Sequence, residues 1–146
     1  MSYLCCEYMF NECTSLVEVP EILPATTIGR QCYAQMFRGC TSLTKAPNLS
    51  ATILAERCCA AMFWGCTALT KAPDLPATTL AASCYNGMFK GCSKLNYVKA
   101  LFTDKSASSC TYQWLDGVAS SGTFVKNAAA TWNVVGVDGV PEGWTV

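Results

Sequence analysis

Apolar residues recur along this chain with a period of 26 residues. Read from Cys32, Cys58 and Cys84, three copies run CYAQMFRGCTSLTKAPNLSATILAER, CCAAMFWGCTALTKAPDLPATTLAAS and CYNGMFKGCSKLNYVKALFTDKSASS. An earlier copy begins at Cys5 and carries one extra residue. Self-similarity at such a period predicts a stack of like units, each of which buries its apolar side against its neighbours.

The first part of each repeat predicts a short helix. In the third copy, apolar residues are spaced four apart from Leu80 to Cys92, which would place them on one face of a helix. Gly91, like the glycines at its position in two other copies, predicts the point where the helix ends. We therefore expect a helix of about two turns in each repeat.

The second part of each repeat predicts a short strand whose apolar residues point inward. These inward residues are Leu16, Val19 and Ile22, then Leu43, Ala46 and Leu49, then Leu69, Ala72 and Leu75, and finally Leu95, Val98 and Leu101. Lys45 and Pro47 flank Ala46 and are expected to point outward. Because proline has no N–H to donate, the strand should be only about three residues long.

The pattern changes towards the C-terminus. Repeats are predicted over residues 1–110, and residues 111–146 are predicted to cap them within the same domain. Residues 123–126 are expected to form a last strand, and Trp132 and Trp144 to shield the final repeat from water. No capping segment precedes Cys5, so we expect either a longer parent protein or a partner that covers the first repeat.

Composition excludes several classes of protein. The chain is 51% hydrophobic and 14% charged, and its ten basic and ten acidic residues cancel. A disordered chain is excluded, and no basic patch predicts a nucleic-acid partner. No apolar run is long enough to span a membrane, and MSYLCCEYMF has no signal-peptide pattern.

Eleven cysteines occupy mainly two repeat positions. One set is Cys5, Cys32, Cys58 and Cys84, continued by Cys110, and the other is Cys13, Cys40, Cys66 and Cys92. This spacing favours two columns of buried thiols, with disulfides between repeats as an alternative. A zinc site is disfavoured because the chain has no histidine and no Cys-x2–4-Cys pair. Without a histidine base we predict no catalytic residue, metal or cofactor.

Two surface regions are candidates for binding. Lys45 and Lys71 share one repeat position, Tyr97 follows at the same position, and Lys99 lies nearby on the same predicted face. This face is either a solvated edge that keeps the sheet soluble or a surface for a protein ligand. Trp64, where other copies have charged residues, is either packed against its neighbours or a second contact point.

An ordered series of short motifs resembles a known family. Met36-Phe37, Gly39-Cys40 and Ser42-Leu43 recur as Met62-Phe63, Gly65-Cys66 and Ala68-Leu69. The series resembles the BspA-like leucine-rich repeats of bacterial surface proteins, over about residues 5–110. The closing Gly-Val-Pro-Glu-Gly-Trp-Thr-Val is similar to the end of such proteins from Bacteroides-type bacteria.

Together these inferences predict a right-handed α/β leucine-rich-repeat solenoid of about four coils with short parallel strands and short helices. The resemblance implies a cell-surface or secreted, non-catalytic module that binds a host or bacterial protein or serves in adhesion. The alternative is a structural spacer that projects another domain and has no ligand of its own.

Overall fold

The computed structural model describes residues 6–146. Its strands are short: β1 (Ile22–Leu23), β2 (Asn48–Leu49), β3 (Tyr97–Ala100), β4 (Gly122–Lys126) and β5 (Trp144–Thr145). β1 and β2 form one parallel sheet, and β3, β4 and β5 form a second parallel sheet in that order. Between these strands the chain runs through turns, bends and single β-bridges.

The predicted α/β leucine-rich-repeat solenoid with short helices is wrong. Residues 6–146 contain no α-helix, and their regular elements are five short strands in two small parallel sheets. Residues 82–91, where the third helix was expected, form an unbroken run of turns.

Backbone conformation explains why these segments are not helical. Every fourth residue has a left-handed φ, as at Ser83 (52°), Gly87 (59°) and Gly91 (74°), which a right-handed α-helix excludes. The amides also alternate in direction. Met88 N–H donates locally to the carbonyl of Tyr85 (3.0 Å), whereas the next amide donates to a neighbouring repeat. The spacing of four therefore reflects a four-residue turn.

Successive repeats lie side by side and are joined by backbone hydrogen bonds, which we call the repeat ladder. At one position the N–H of Phe10, Phe37, Phe63 and Phe89 donates to the carbonyl of Met36, Met62, Met88 and Trp114, each at 2.9 Å. On the opposite side, parallel pairing joins β1 to β2 and β3 to β4. Each interior repeat is thus bonded to the repeat before it and the repeat after it.

The core lies between the turn side and the strand side of the ladder. The rings of Phe10, Phe37, Phe63 and Phe89 form a stacked column with centroids 5.5, 5.5 and 5.6 Å apart. The expected inward residues are buried in the two middle repeats: Leu43, Ala46, Leu49, Leu69, Ala72 and Leu75. Contrary to expectation, Pro47 is also buried.

The predicted set of inward-pointing residues is wrong at both ends of the ladder. Ile22 is 50% exposed, and Leu23 is buried in its place, because the extra residue of the first repeat brings Leu23 opposite Leu49. In the last copy Ala100 is buried, while Leu101 is only half-buried.

The buried cysteine columns are confirmed within the described chain, with one exception. Buried members are Cys32, Cys58, Cys84 and Cys110 in one column and Cys40, Cys66 and Cys92 in the other. The first member, Cys5, lies outside the described residues, and Cys13 is exposed rather than buried. In the second column Cys66 Sγ donates to the carbonyl of Phe37 at 3.1 Å, so the thiol satisfies an acceptor inside the core.

Residues beyond 110 continue the ladder and then fold over it. β4 confirms the strand expected at 123–126, but β5 follows it and pairs with it in parallel. Three indole N–H groups are satisfied here: Trp114 donates to Gly139, Trp132 to Phe102 and Trp144 to Ala119, at 2.9, 3.1 and 2.8 Å. The division between repeats at 1–110 and a cap at 111–146 stays a prediction.

Candidate functional site

The structure aligns the four residues singled out on the sequence along one side of the ladder. A parallel β-bridge joins Lys71 to Tyr97, and Lys45 occupies the same repeat position one copy earlier. In β3, Val98 and Ala100 are buried while Tyr97 and Lys99 alternate with them on the outer side. We call Lys45, Lys71, Tyr97 and Lys99 the strand face.

Lys71 and Tyr97 are in direct contact. Lys71 Nζ lies 4.9 Å from the centroid of the Tyr97 ring, within the range of a cation–π interaction. The backbone supports the pair, since Ala72 N–H donates to the carbonyl of Tyr97 at 2.9 Å. At an exposed site such a contact is worth about 0.5–1 kcal/mol, so it orients the two side chains more than it stabilises the fold.

Lys99 has a carboxylate partner that the sequence analysis missed. Its Nζ lies 2.7 Å from Asp74 Oδ2, and this hydrogen bond is the main reason that the pKa of Lys99 is raised. Both side chains are more than a third exposed, so the pair adds little stability. Asp74 precedes Lys99 by 25 residues, close to one repeat, and opposite charges at that separation were the available signal.

A groove of about 580 Å³ opens beside Lys45, between the first two repeats. Glu18 and Glu21 line it together with Lys45, and Val17, Val19 and Pro20 add apolar surface. A second groove of about 300 Å³ lies between the next two repeats and is lined by both Lys45 and Lys71. The sequence analysis missed Glu21, because the extra residue of the first repeat hides its register.

Lys45 and Lys71 differ from Lys99 in their ionic partners. Within residues 6–146 neither of them forms an ion pair, whereas Lys99 is paired with Asp74. Both lysines are exposed and lie in adjacent repeats, where strands are roughly 4.8 Å apart. The two ammonium groups therefore place positive charge in the middle of the strand face, with Glu18 and Glu21 across the groove from Lys45.

Trp64 lies on the turn side and packs between two cations. Arg38 Cζ is 4.8 Å and Lys90 Nζ 5.2 Å from the Trp64 ring centroid. Lys90 is held in turn by Asp116, with its Nζ 3.1 Å from Oδ2. These contacts support the interpretation of Trp64 as a residue packed against its neighbours.

The buried thiols are poor nucleophiles because their pKa values are raised. Burial raises the pKa of Cys92 to about 12, and burial also raises the pKa of Cys66 and Cys84. These thiols stay protonated at neutral pH, and the thiolate is the reactive form. In the part of the chain that the structure describes, no group of three or more Cys, Asp or Glu side chains is arranged to hold a metal ion.

Across residues 6–146 we find no helical span with the length and apolarity that crossing a bilayer requires. Comparison with protein-family models, curated proteins and solved structures finds no match to this chain.

Proposed function

We propose that this chain is a non-catalytic protein-binding or adhesion module of a bacterial cell-surface or secreted protein, and that the strand face is its contact surface. The observation that carries the proposal is the alignment of Lys45, Lys71 and Tyr97 on one exposed side, next to an open groove. The surface location rests on the resemblance of the repeat motifs to BspA-like proteins.

The charge of the strand face indicates the kind of protein that fits it. Two adjacent lysines repel each other, and carboxylates of a ligand would relieve that repulsion. Tyr97 adds an aromatic surface already oriented by Lys71, and aromatic residues are enriched in protein interfaces. A protein ligand with an acidic group for Lys71 and an apolar side chain matches this arrangement. The apolar group would enter the groove lined by Val17, Val19 and Pro20, where Glu18 and Glu21 keep further acidic groups away.

The test is a charge reversal with a matched control. The double variant Lys45→Glu and Lys71→Glu is compared with Arg30→Glu and Arg57→Glu, which changes the net charge equally at exposed residues away from the strand face. Binding to a panel of purified host extracellular and bacterial surface proteins is measured by surface plasmon resonance. We expect a panel member that binds the native chain to bind the lysine variant at least tenfold more weakly and the arginine variant normally.

Three outcomes would contradict the proposal. A structural spacer would bind no member of the panel. Normal binding by the lysine variant, with loss of binding by Trp64→Ala, would place the contact on the turn side. Equal losses in both charge variants would show that net charge alone governs binding. The melting temperature of the two charge variants should stay within a few degrees of the native value, because the substituted side chains are exposed.

A further inference from the structure

The repeat ladder is interrupted on its strand side between the second and third repeats, which begin at Cys32 and Cys58. On the turn side, backbone hydrogen bonds join these two repeats at alternate residues. On the strand side, no backbone hydrogen bond or β-bridge of the described chain joins residues 44–55 to residues 70–81. The first and second repeats are joined on that side, and so are the third and fourth. The break therefore lies inside the ladder, with a bonded pair of repeats on each side of it.

Pro73 supplies a physical reason for the break. Ala72 N–H donates to the carbonyl of Tyr97 at 2.9 Å, so the backbone groups of Ala72 face the fourth repeat. Because backbone groups alternate in direction along an extended segment, those of Lys71 and Pro73 face the second repeat. Proline has no N–H. The third repeat thus lacks a donor where a continuous ladder would need one.

Backbone groups on both walls of the break have no hydrogen-bond partner in the described chain. On the second repeat they include the N–H of Ala46 and the carbonyl of Thr44. On the third repeat they include both the N–H and the carbonyl of Lys71. The groove of about 300 Å³ between the second and third repeats is lined by all three residues, and we call it the slot. The slot therefore offers donors and acceptors of the kind that a neighbouring strand uses.

Side chains around the slot favour an acidic occupant. Lys45 and Lys71 lie on its two walls, and neither forms an ion pair within residues 6–146. The hydroxyl-bearing side chains of Thr44 and Thr70 add polar surface, and no Asp or Glu lines the slot. A groove with two cations and no carboxylate is complementary to a negatively charged group.

The carboxylates of the strand side lie outside the slot. Glu18 and Glu21 line the other groove, between the first two repeats, where they are across from Lys45. Asp74 is bonded to Lys99, with 2.7 Å between Oδ2 and Nζ. We therefore expect a carboxylate in the slot to lie at Lys71, on the side away from Glu18 and Glu21.

We propose that the slot takes an extended acidic segment of the protein ligand, with its carboxylate beside Lys71 and its backbone bonded to Ala46 and Lys71. This inference rests on the proposed function, because it names the part of the ligand that the strand face recognises. Pairing of an extended segment with unbonded backbone groups is a general mode of peptide recognition. The carboxylate would also relieve the repulsion between Lys45 and Lys71. The apolar side chain of the ligand would occupy the groove between the first two repeats.

The test uses the full native chain and a capped pentapeptide, acetyl-Thr-Val-Glu-Val-Thr-amide. Its matched control is the same peptide with glutamine in place of glutamate, which keeps the backbone and removes the charge. Binding is followed through the amide resonances of the ¹⁵N-labelled protein. We expect saturable shifts of the Ala46 and Lys71 amides with the glutamate peptide and at least tenfold weaker binding of the glutamine peptide. The amide of Ala72, already bonded to Tyr97, should shift less.

Location is tested with two variants that each remove one positive charge. Lys71→Gln should bind the glutamate peptide at least fivefold more weakly, whereas Arg57→Gln, at an exposed residue away from the slot, should bind it normally. The proposal is overturned if the Ala46 and Lys71 amides do not respond to the glutamate peptide. Equal binding of the two peptides, or equal losses in the two variants, would also overturn it.

Failure of the slot is distinguishable from failure of the proposed function. A protein of the surface-plasmon-resonance panel that binds through Lys45 and Lys71 while the slot amides stay unchanged would support the strand face and overturn the slot. Saturable binding of the glutamate peptide at the slot, with no panel member bound, would support the slot and count against the panel proteins as ligands.

Discussion

The two ends of the repeat ladder place the same repeat position in opposite environments. Met9 and Trp114 occupy equivalent places in the first and last layers of turns, yet Met9 is 52% exposed and Trp114 is fully buried. Cys13 and Cys92 differ in the same way, as an exposed and a buried member of one cysteine column. The environment of a repeat residue is therefore set by whether a layer lies on each side of it.

The last layer is completed by chain that does not repeat. Its outward N–H groups have no following repeat, and the segment at 137–139 supplies acceptors instead. Gln113 N–H donates to a carboxylate oxygen of Asp138 at 2.5 Å, and Leu115 N–H donates to the carbonyl of Val137 at 3.3 Å. The non-repeating segment thus takes the place of a following repeat for Gln113 and Leu115.

The largest effect that we expect from this comparison is on stability at the two ends. Trp114→Ala removes a fully buried indole and leaves the carbonyl of Gly139 without its donor, so unfolding should become easier by about 3–5 kcal/mol. Met9→Ala, at the equivalent place, should change the free energy of unfolding by less than about 0.5 kcal/mol because the side chain is half exposed. Urea denaturation of both variants measures the difference. Similar losses at the two sites would mean that the first layer is as well covered as the last.

Much of the side-chain placement could be predicted from the sequence, but the backbone path could not. The period of 26 placed Leu43, Leu69 and Leu95 inside, and all three are fully buried. A spacing of four from Leu80 to Cys92 was taken as a helix. A four-residue spacing departs from one turn of an α-helix by only about 40°, so over one or two spacings both structures place the side chains on one side. A left-handed φ at every fourth residue distinguishes the turns from a helix. The sequence does not reveal all of these positions, because some are not glycine, as at Ser83.

The candidate site shows a similar division. Repeat position alone was enough to place Lys71 beside Tyr97, since residues at one position lie in adjacent layers. Repeat position could not reveal that Lys99 is paired with Asp74. Lys71 lies opposite Tyr97, but Leu75 lies opposite Ala100, so the last copy is one residue shorter here. The two charged residues are therefore 25 residues apart rather than 26. Repeat periodicity predicts neighbours only where no insertion or deletion intervenes.

Alkaline pH should test the burial of the thiols in both cysteine columns. The folded-state pKa values of Cys66, Cys84 and Cys92 lie above the ordinary thiol value of 9.0, because burial disfavours the thiolate. The folded state therefore holds these protons more tightly, and the stability they contribute is present below pH 9 and lost as pH rises above it. At pH 9.5 each thiol should cost about 0.8 kcal/mol, or roughly 2–3 kcal/mol for the three.

Urea midpoints at pH 8 and pH 9.5 measure this loss. Cys92→Ser removes one titrating thiol and should reduce the measured loss by about 0.8 kcal/mol. A native chain that is equally stable at both pH values would show that these thiols are not buried in solution.

Alkylation of the native protein should have the smallest effect on stability. It compares the accessibility of Cys13 in the first repeat with that of the buried thiols in later repeats. Cys13 is exposed, while Cys40, Cys66 and Cys92 in the same column are buried and donate through Sγ to carbonyls at 3.0–3.1 Å. Iodoacetamide at pH 8 should therefore label Cys13 within minutes and the other three only after unfolding, since modification requires an accessible thiolate. Mass spectrometry of tryptic peptides identifies the labelled positions, and a urea-unfolded sample is the control in which all four react. Rapid labelling of Cys40 in the native chain would show that the first layer opens and that the incompletely covered end extends into the second repeat.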